Sequence, residues 1–471
     1  MTMTQTVGGG VADLRALLNG PVFGPEDSGY DEARKVWNAA NDRRPAMIAR
    51  CASAADVAAA IRFAGDHDLE IAVRGGAHSP SGNSTVDDGV VIDLSALNHV
   101  TVDPDAKLAR AGGGALLGDL DAATQAHGLA VPAGMVSHTG IGGLVLGGGM
   151  GWFTRKAGLS IDNLVSAEVV TADGRILRAS ATDHPDLFWA LRGGGGNFGV
   201  VTEFEFRLHE AGPLVQYALV FWELDQGPEV LRLARELVPT LPLDLSVVIG
   251  ALNAPPASFV PEQYHFTPGY ALLVTGFGDP GTHADVLARI RQALPPAFEF
   301  VTPMPYVELQ QLIDEANAWG LYYYDKSLYL EELSDEVIQA VVEQVPRRTS
   351  PMSIVLFYRL DGAYSAVPDD ATAFSGGRSP RYCAFMIAAT QTLETLPAET
   401  AWVRSCAEAL RPYAPHVGTY VNAMDDTGQD RVQAAYGPAK YQRLRDIKLR
   451  YDPRNVFHRN VNIPPADGAP S

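Results

Sequence analysis

The chain has 471 residues, 46% apolar and 19% charged, and its 36 Lys and Arg against 55 Asp and Glu leave a formal net charge of −19. That length calls for two or more packed units, and the negative sign disfavours nucleic acid, whose binding rests on cations that neutralise phosphates. Three widely spaced cysteines give neither a disulfide framework nor a C-x-x-C metal knuckle. No apolar run is long enough to span a membrane, and MTMTQTVGGG carries no basic stretch before an apolar one, so a cytoplasmic globular protein is expected.

Short elements alternate through the first 205 residues, and an α+β fold class is expected. Ser53 opens a helix over 54–64 with Asp56 three residues on, in capping-box spacing, and Gly65 is the expected stop. Residues 71–73 read as a buried strand that runs into a glycine loop. Strands follow at 90–94 and 108–111, then a helix at 116–127. Residues 166–179 read as a hairpin turned at Asp173-Gly174. Asp183-His184-Pro185 caps a helix through Leu191, and 199–206 is a further strand.

After Glu210 glycines thin out, and prolines and aromatics rise. Strand-like runs lie at 216–221, 246–252, 271–276, 354–360 and 381–389, and helical patterns at 285–293, 335–344 and 398–410. These predict a second unit over 206–414, an antiparallel sheet with helices on one face. The tail, 415–471, reads as one more strand after Gly418 and a helix over 440–450 stopped by Asp452-Pro453.

Glycine clusters carry the chemistry. RGGAHSPSG, residues 74–82, ends a strand in backbone free to approach a ligand, and successive N–H groups there can form an anion-binding nest around an accessible His78. The stretch 134–151 is too rich in glycine for an ordinary helix, since each costs about 1 kcal/mol relative to Ala. Two such loops in one unit point to an anionic cofactor.

Two G-x-G-x-x-G matches need separating from these. The one at 194–199 follows a helix and opens a strand, the reverse of a dinucleotide site. The one at 276–281 has the right context, with Glu299 beyond it, but Asp279 puts a negative charge where pyrophosphate should sit and Pro280 removes a donor. It reads as a strand–helix turn rather than a nicotinamide site. No G-x-S-x-G, H-E-x-x-H or G-x-x-x-x-G-K-[ST] occurs, so hydrolase, zinc-protease and P-loop readings have no anchor, and no metal site is expected.

Three segments together resemble the berberine bridge enzyme-like flavoproteins of the vanillyl-alcohol oxidase superfamily. They are Arg74-Gly75-Gly76-Ala77-His78-Ser79; Gly140 to Gly151 with Asp162-Asn163 and RGGGGNFGVVT from Arg192; and GTYVNAMDD with YGPAKYQRLRDIKLRYDPRNVFHRNVNIPP. The resemblance implies a two-part PCMH-type FAD-binding domain, a substrate domain, and a C-terminal segment that returns to the first.

It also implies covalent FAD through His78. Arg74, Gly75, Gly76, Ala77, Ser79, Gly82, Gly134, Val136, Ser137, Gly140, Gly142, Gly143, Gly147, Gly151, Asn197, Gly199, Val200, Val201 and Asn460 would surround the cofactor, with Tyr420 and Asn422 beside it. The pyrophosphate would lie against N–H groups of 75–82. Many relatives have a cysteine bonded to flavin C6 where this chain has Val136, so a single link is expected. A neutral His78 can attack the C8α methyl of the quinone-methide tautomer, which would make the flavin more oxidising.

The resemblance implies oxidation of a hydroxyl group on a carbohydrate or secondary metabolite by hydride transfer to N5, with O2 as acceptor. A dehydrogenase with an organic acceptor and a monooxygenase are the alternatives, and a nicotinamide dehydrogenase or a non-catalytic flavin carrier are further from the residues. Tyr420, in Y-x-N with Asn422, would take the substrate proton. A free phenol has a pKa of about 10, so Tyr420 needs a lowered pKa or accepts the proton only as hydride leaves. Thr139 would stand near C4a, where a small β-branched side chain leaves room for O2. Trp222, Tyr270, Tyr322, Tyr323, Tyr324 and Tyr358 are candidate pocket aromatics.

Overall fold

A computed structural model describes residues 8–414, 418–424 and 428–467. Residues 1–7 of the N-terminal run, and Asp425 and Asp426 of GTYVNAMDD, lie outside these. The described chain builds three main sheets, in keeping with the α+β class expected.

The first sheet runs in the order Val22–Phe23, Met47–Arg50, Val90–Asp93, Ile71–Arg74. Val90–Asp93 pairs in parallel with both neighbours and is buried along its length, as a strand covered on both faces must be. The crossover helix Ala54–Asp66 is capped by Ser53, which accepts from the Asp56 N–H. Only that half of the capping box forms. The Asp56 carboxylate accepts instead from the N–H groups of Asn19, Gly20 and Ala52. Gly65 does not stop the helix, which runs one residue past it with His67 as C-cap.

The second sheet is antiparallel, in the order Val100–Asp103, Leu108–Gly112, Val200–Arg207, Leu164–Val170, Ile176–Ser180. Its last two strands form the hairpin expected at Asp173-Gly174, with Gly174 at φ +77°.

The third sheet has seven antiparallel strands in the order Phe298–Pro305, Leu214–Glu223, Pro268–Gly276, Leu245–Asn253, Ile354–Leu360, Arg381–Thr390, Tyr322–Leu330. Its period-2 pattern sorts residues between two faces. Val220, Ile249, Leu272, Phe357 and Met386 pack under the helices Gly227–Leu237, Asp335–Gln344 and Leu396–Leu410. Leu356, Tyr358 and Phe385 point the other way, towards the glycine-rich loops. The two strands of this sheet that sequence reading missed, Phe298–Pro305 and Tyr322–Leu330, are its two edges. One carries prolines and the other an Asp-Lys pair, residues that an edge tolerates and a central strand does not.

The tail departs from expectation in two ways. No strand follows Gly418 among the described residues; Val421–Ala423 is a 3-10 turn, and a single bridge joins Lys326 to Met424. The closing helix is longer, Gln429–Tyr451, and is broken at Gly437 (φ +72°) ahead of Pro438. Lys448 and Asp452, both fully buried, hold its end. The Lys448 ammonium donates to Asp452 at 2.6 Å, to the Asn197 carbonyl at 2.7 Å and to the Phe457 carbonyl at 2.9 Å. The tail is thereby tied to the 193–199 glycine loop.

Candidate active site

A cavity of about 410 Å³ lies between the glycine loops and the seven-stranded sheet. Its lining includes Ile71, Leu94, Phe457, Arg459 and Asn460, and, from the seven-stranded sheet, Asp325, Ile354, Leu356, Tyr358, Phe385 and Ile387. The sheet residues share a face because their strands pair in register: Asp325 opposite Ile387, Ile387 opposite Ile354, Phe385 opposite Leu356.

The floor is backbone. A Cβ on Gly76 would lie 2.2 Å from the Gly140 nitrogen, so the two glycine loops touch main chain to main chain and no other residue fits. Among the described residues, the N–H groups of Gly76, Ala77, His78 and Ser79 make no hydrogen bond within the protein. The stretch 134–151 does contain a short helix, Ile141–Gly147, against the propensity of its glycines. Burial of Ile141, Val145 and Leu146 overrides that propensity.

His78 lines the cavity and is held on both sides. Its Nε2 lies 2.9 Å from His138 Nδ1. Its ring stacks on Trp37, with centroids 4.3 Å apart and planes at 17°, and Trp37 in turn stacks on Tyr323. Burial, reinforced by His138, pushes the imidazole pKa down to about 3, so His78 is neutral at any physiological pH.

Tyr420 is buried on the lining of the same cavity. Its Oη accepts from the Gly149 N–H at 3.0 Å and from Asn422 Nδ2 at 2.9 Å. Of the two routes open to Tyr420, a lowered pKa is the one this site does not provide. Burial pushes the phenol up to about 12, outweighing both donors.

Gly75, Ala77, Ser79, Gly134, Val136, Thr139, Gly142, Gly143, Gly199, Val200, Val201 and Asn422 also line the cavity. Six expected residues do not, and each has other partners or close neighbours. The Arg74 guanidinium donates to the Ala33 carbonyl. Gly82 makes room for Asn41, Gly147 for Asn422 and Gly151 for the Ala133 carbonyl. Ser137 donates from its N–H to Asp314 at 2.8 Å. Asn197 bonds Gly194, Val461 and Ile463, which brings the tail onto the glycine loop.

Of the aromatics expected in the pocket, only Tyr358 is on its wall. Trp222 and Tyr270 face the helices, Tyr323 packs on Trp37, and Tyr324 meets Arg404. The alternation of the strands, not residue type, decides which side each takes. Sequence reading missed Trp37, His138 and Asp325. The first two act through a stack and a ring contact that no local motif encodes.

At the 276–281 turn, Asp279 caps the following helix, accepting from the Thr282 N–H at 2.9 Å, and Glu299 pairs with Arg291. The protein's own carboxylate fills the place a pyrophosphate would need.

The cavity residues fit FAD. The nest of free N–H groups suits a pyrophosphate. Ser84 Oγ, Arg459 Nε and Asn460 Oδ1 are buried on its lining without a hydrogen-bond partner among the described residues, and such atoms call for polar groups of a ligand.

Residues 45–180 match the FAD binding domain family, and residues 419–464 match the berberine and berberine-like family. The chain is 31% identical over 464 residues to (R)-6-hydroxynicotine oxidase of Paenarthrobacter nicotinovorans, covering 95% of this chain and 97% of that protein. Among solved structures it is similar to 6-hydroxy-D-nicotine oxidase of Arthrobacter nicotinovorans (27% identity, TM-score 0.82, 99% and 100% of the two chains). It is also similar to a glucooligosaccharide oxidase of Acremonium strictum, described as having a novel flavinylation (26%, 0.84, 99% and 100%). The chain is thus an enzyme of the berberine bridge enzyme-like family of FAD-linked oxidoreductases, within the vanillyl-alcohol oxidase superfamily.

Proposed function

We propose that the protein oxidises a small secondary metabolite, with FAD held through one covalent bond to His78 and with O2 as electron acceptor. Bound FAD would take a hydride from the substrate carbon at N5 and pass the two electrons to O2. The observation that carries this reading is that one cavity joins the glycine nest, a neutral His78 and Tyr420.

Each residue has a part. The N–H groups of 76–79 bind the pyrophosphate, and Asn460 and Arg459 meet other polar groups of FAD. Val136 stands at the place where a cysteine would make a second link, and all three cysteines are buried away from the cavity, so His78 is the single attachment. Tyr420 Oη takes the substrate proton in its ionised form, whose charge Asn422 and Gly149 stabilise by donating to it.

The substrate wall favours a compact metabolite over an oligosaccharide. Ile313, Ile354, Leu356, Phe385 and Ile387 make it largely apolar, with polar groups at Asp325, Asn317 and Tyr358. The two-part FAD domain over 1–205 and 415–471 would then present cofactor to a substrate unit over 206–414.

The test is the absorption spectrum before and after acid precipitation, with intact mass. Yellow protein that stays yellow when denatured, heavier by one FAD, is the expected result. Colour lost to the supernatant would refute the covalent link. A panel of aromatic alcohols, cyclic amines and oligosaccharides separates the substrate classes by turnover, and preference for oligosaccharides would overturn the compact-metabolite reading.

A further inference from the structure

His138 has no part in the reaction proposed for the site, and yet it makes the one polar contact to the His78 ring from another residue among the described residues, Nε2 to Nδ1 at 2.9 Å. Its loop is pinned. The Thr139 N–H donates to the Val136 carbonyl at 3.1 Å, the Gly118 N–H to the Ser137 carbonyl at 2.8 Å, and the Ser137 N–H to Asp314 at 2.8 Å. On its other side His78 is fixed by Trp37, whose Nε1 donates to the Asn317 carbonyl at 2.7 Å. The two histidines are therefore presented to each other by rigid neighbours. His138 keeps partial access to solvent.

A neutral imidazole has one N–H and one lone pair. If His138 donated to Nε2, the lone pair of His78 would be occupied and Nδ1 would carry the proton, leaving no nucleophile. Only the tautomer that donates from Nε2 to His138 leaves Nδ1 free. Alkylation of Nδ1 with the Nε2 proton still in place would create a cation in a site whose burial opposes one. That proton must leave, and His138 is where it can go.

We infer that His138 is the proton acceptor of flavin attachment: it holds His78 with its proton on Nε2 and takes that proton as Nδ1 bonds to the flavin 8α carbon. This rests on the covalent reading of His78. In the balanced step, a C8α–H bond breaks and an N–C bond forms. The methyl proton and the Nε2 proton are released, the latter to His138. The electron pair left on the ring system passes to O2, which leaves as hydrogen peroxide.

The test uses full-length protein from flavin-limited cells, incubated with FAD in air. Covalent incorporation is followed by flavin fluorescence on denaturing gels and by intact mass. FAD retained on gel filtration reports folding and non-covalent binding. His138→Ala should bind FAD and couple it at least about 100-fold more slowly than the parent, as expected for loss of a general base. His138→Asn keeps an acceptor near the Nδ1 position but cannot keep a proton, and should be as slow. Coupling of His138→Ala at the parental rate would overturn the inference. Restoration by His138→Asn would also overturn it, because positioning alone would then suffice. A parent that releases all its flavin on denaturation would overturn the covalent reading itself, and His138's role with it.

Discussion

Asn422 donates from Nδ2 to the Tyr420 hydroxyl at 2.9 Å and from the same nitrogen to the Leu144 carbonyl at 2.9 Å. The amide thus ties the tyrosine to the helix that floors the cavity. With the Gly149 N–H also donating to Oη, the phenol's own proton is left to point away from both donors. A neutral phenol has no room for a second proton, so acceptance of the proton as hydride leaves has to start from the ionised fraction. For a pKa of about 12, that fraction is about 10⁻⁵ at pH 7.

Tyr420→Phe keeps the ring and should load flavin normally. Flavin reduction by substrate in stopped flow should fall about 10²–10⁴-fold. In the parent, the reduction rate should rise about tenfold per pH unit across the range in which the protein is stable, with no plateau, because the pKa lies above it. The variant should lose that dependence. Reduction at the parental rate would place the base elsewhere.

Gly147 tests the support. A Cβ there would lie 2.0 Å from Asn422 Oδ1, so Gly147→Ala must expel the amide and remove one donor from Tyr420. Loss of one hydrogen bond to a charged oxygen is worth about 1.5–3 kcal/mol, roughly 10–100-fold in rate. The expected variant binds flavin, is slower in reduction, and is hardly changed further by Asn422→Ala. Additive effects of the two substitutions would separate Gly147 from Asn422.

Much of this site is legible in the sequence because its chemistry is local. The 74–79 loop, the 134–151 stretch and the Y-x-N run each state a backbone or side-chain requirement within a few residues. What the sequence hides is non-local. Trp37 reaches His78 across 41 positions and His138 reaches it across 60. Tyr358 and Trp222 read alike as strand aromatics, and only the register of seven strands sends one to the cavity and the other to the helices. The edge strands are masked by prolines and charges that their position permits, and Gly65 misleads because helix packing outweighs one glycine.

Asp121 offers a check on stability. It is fully buried, and burial pushes its carboxyl up to about 7 although Gln310 donates to it at 3.1 Å. Gln310 also donates to the Gly134 carbonyl at 3.0 Å, which links this acid to the glycine floor. With the folded pKa above the unfolded one, the group's stabilising effect is complete below about pH 4. It is lost progressively as the pH rises to about 7, and does not change further above that. Asp121→Asn should therefore flatten the fall in Tm between pH 4 and 7. An unchanged profile would show that Asp121 titrates normally.

Thr139 is the residue on which the proposed use of O2 can be tested. It lines the cavity, and its main chain is held at both ends, the N–H donating to the Val136 carbonyl and the carbonyl accepting from the Leu117 N–H at 2.9 Å. A longer side chain there cannot be absorbed by a backbone shift and must extend into the cavity. Thr139→Leu should leave flavin loading and substrate reduction close to the parent, because neither His78 nor Tyr420 is bonded to Thr139. Reoxidation is different, because O2 must reach the reduced ring, and its second-order rate constant in stopped flow should drop by at least an order of magnitude. Equal reoxidation in parent and variant would remove Thr139 from the oxygen path. Slow reoxidation already in the parent, with fast transfer to a quinone or dye, would make the enzyme a dehydrogenase and leave the assignments of His78 and Tyr420 standing.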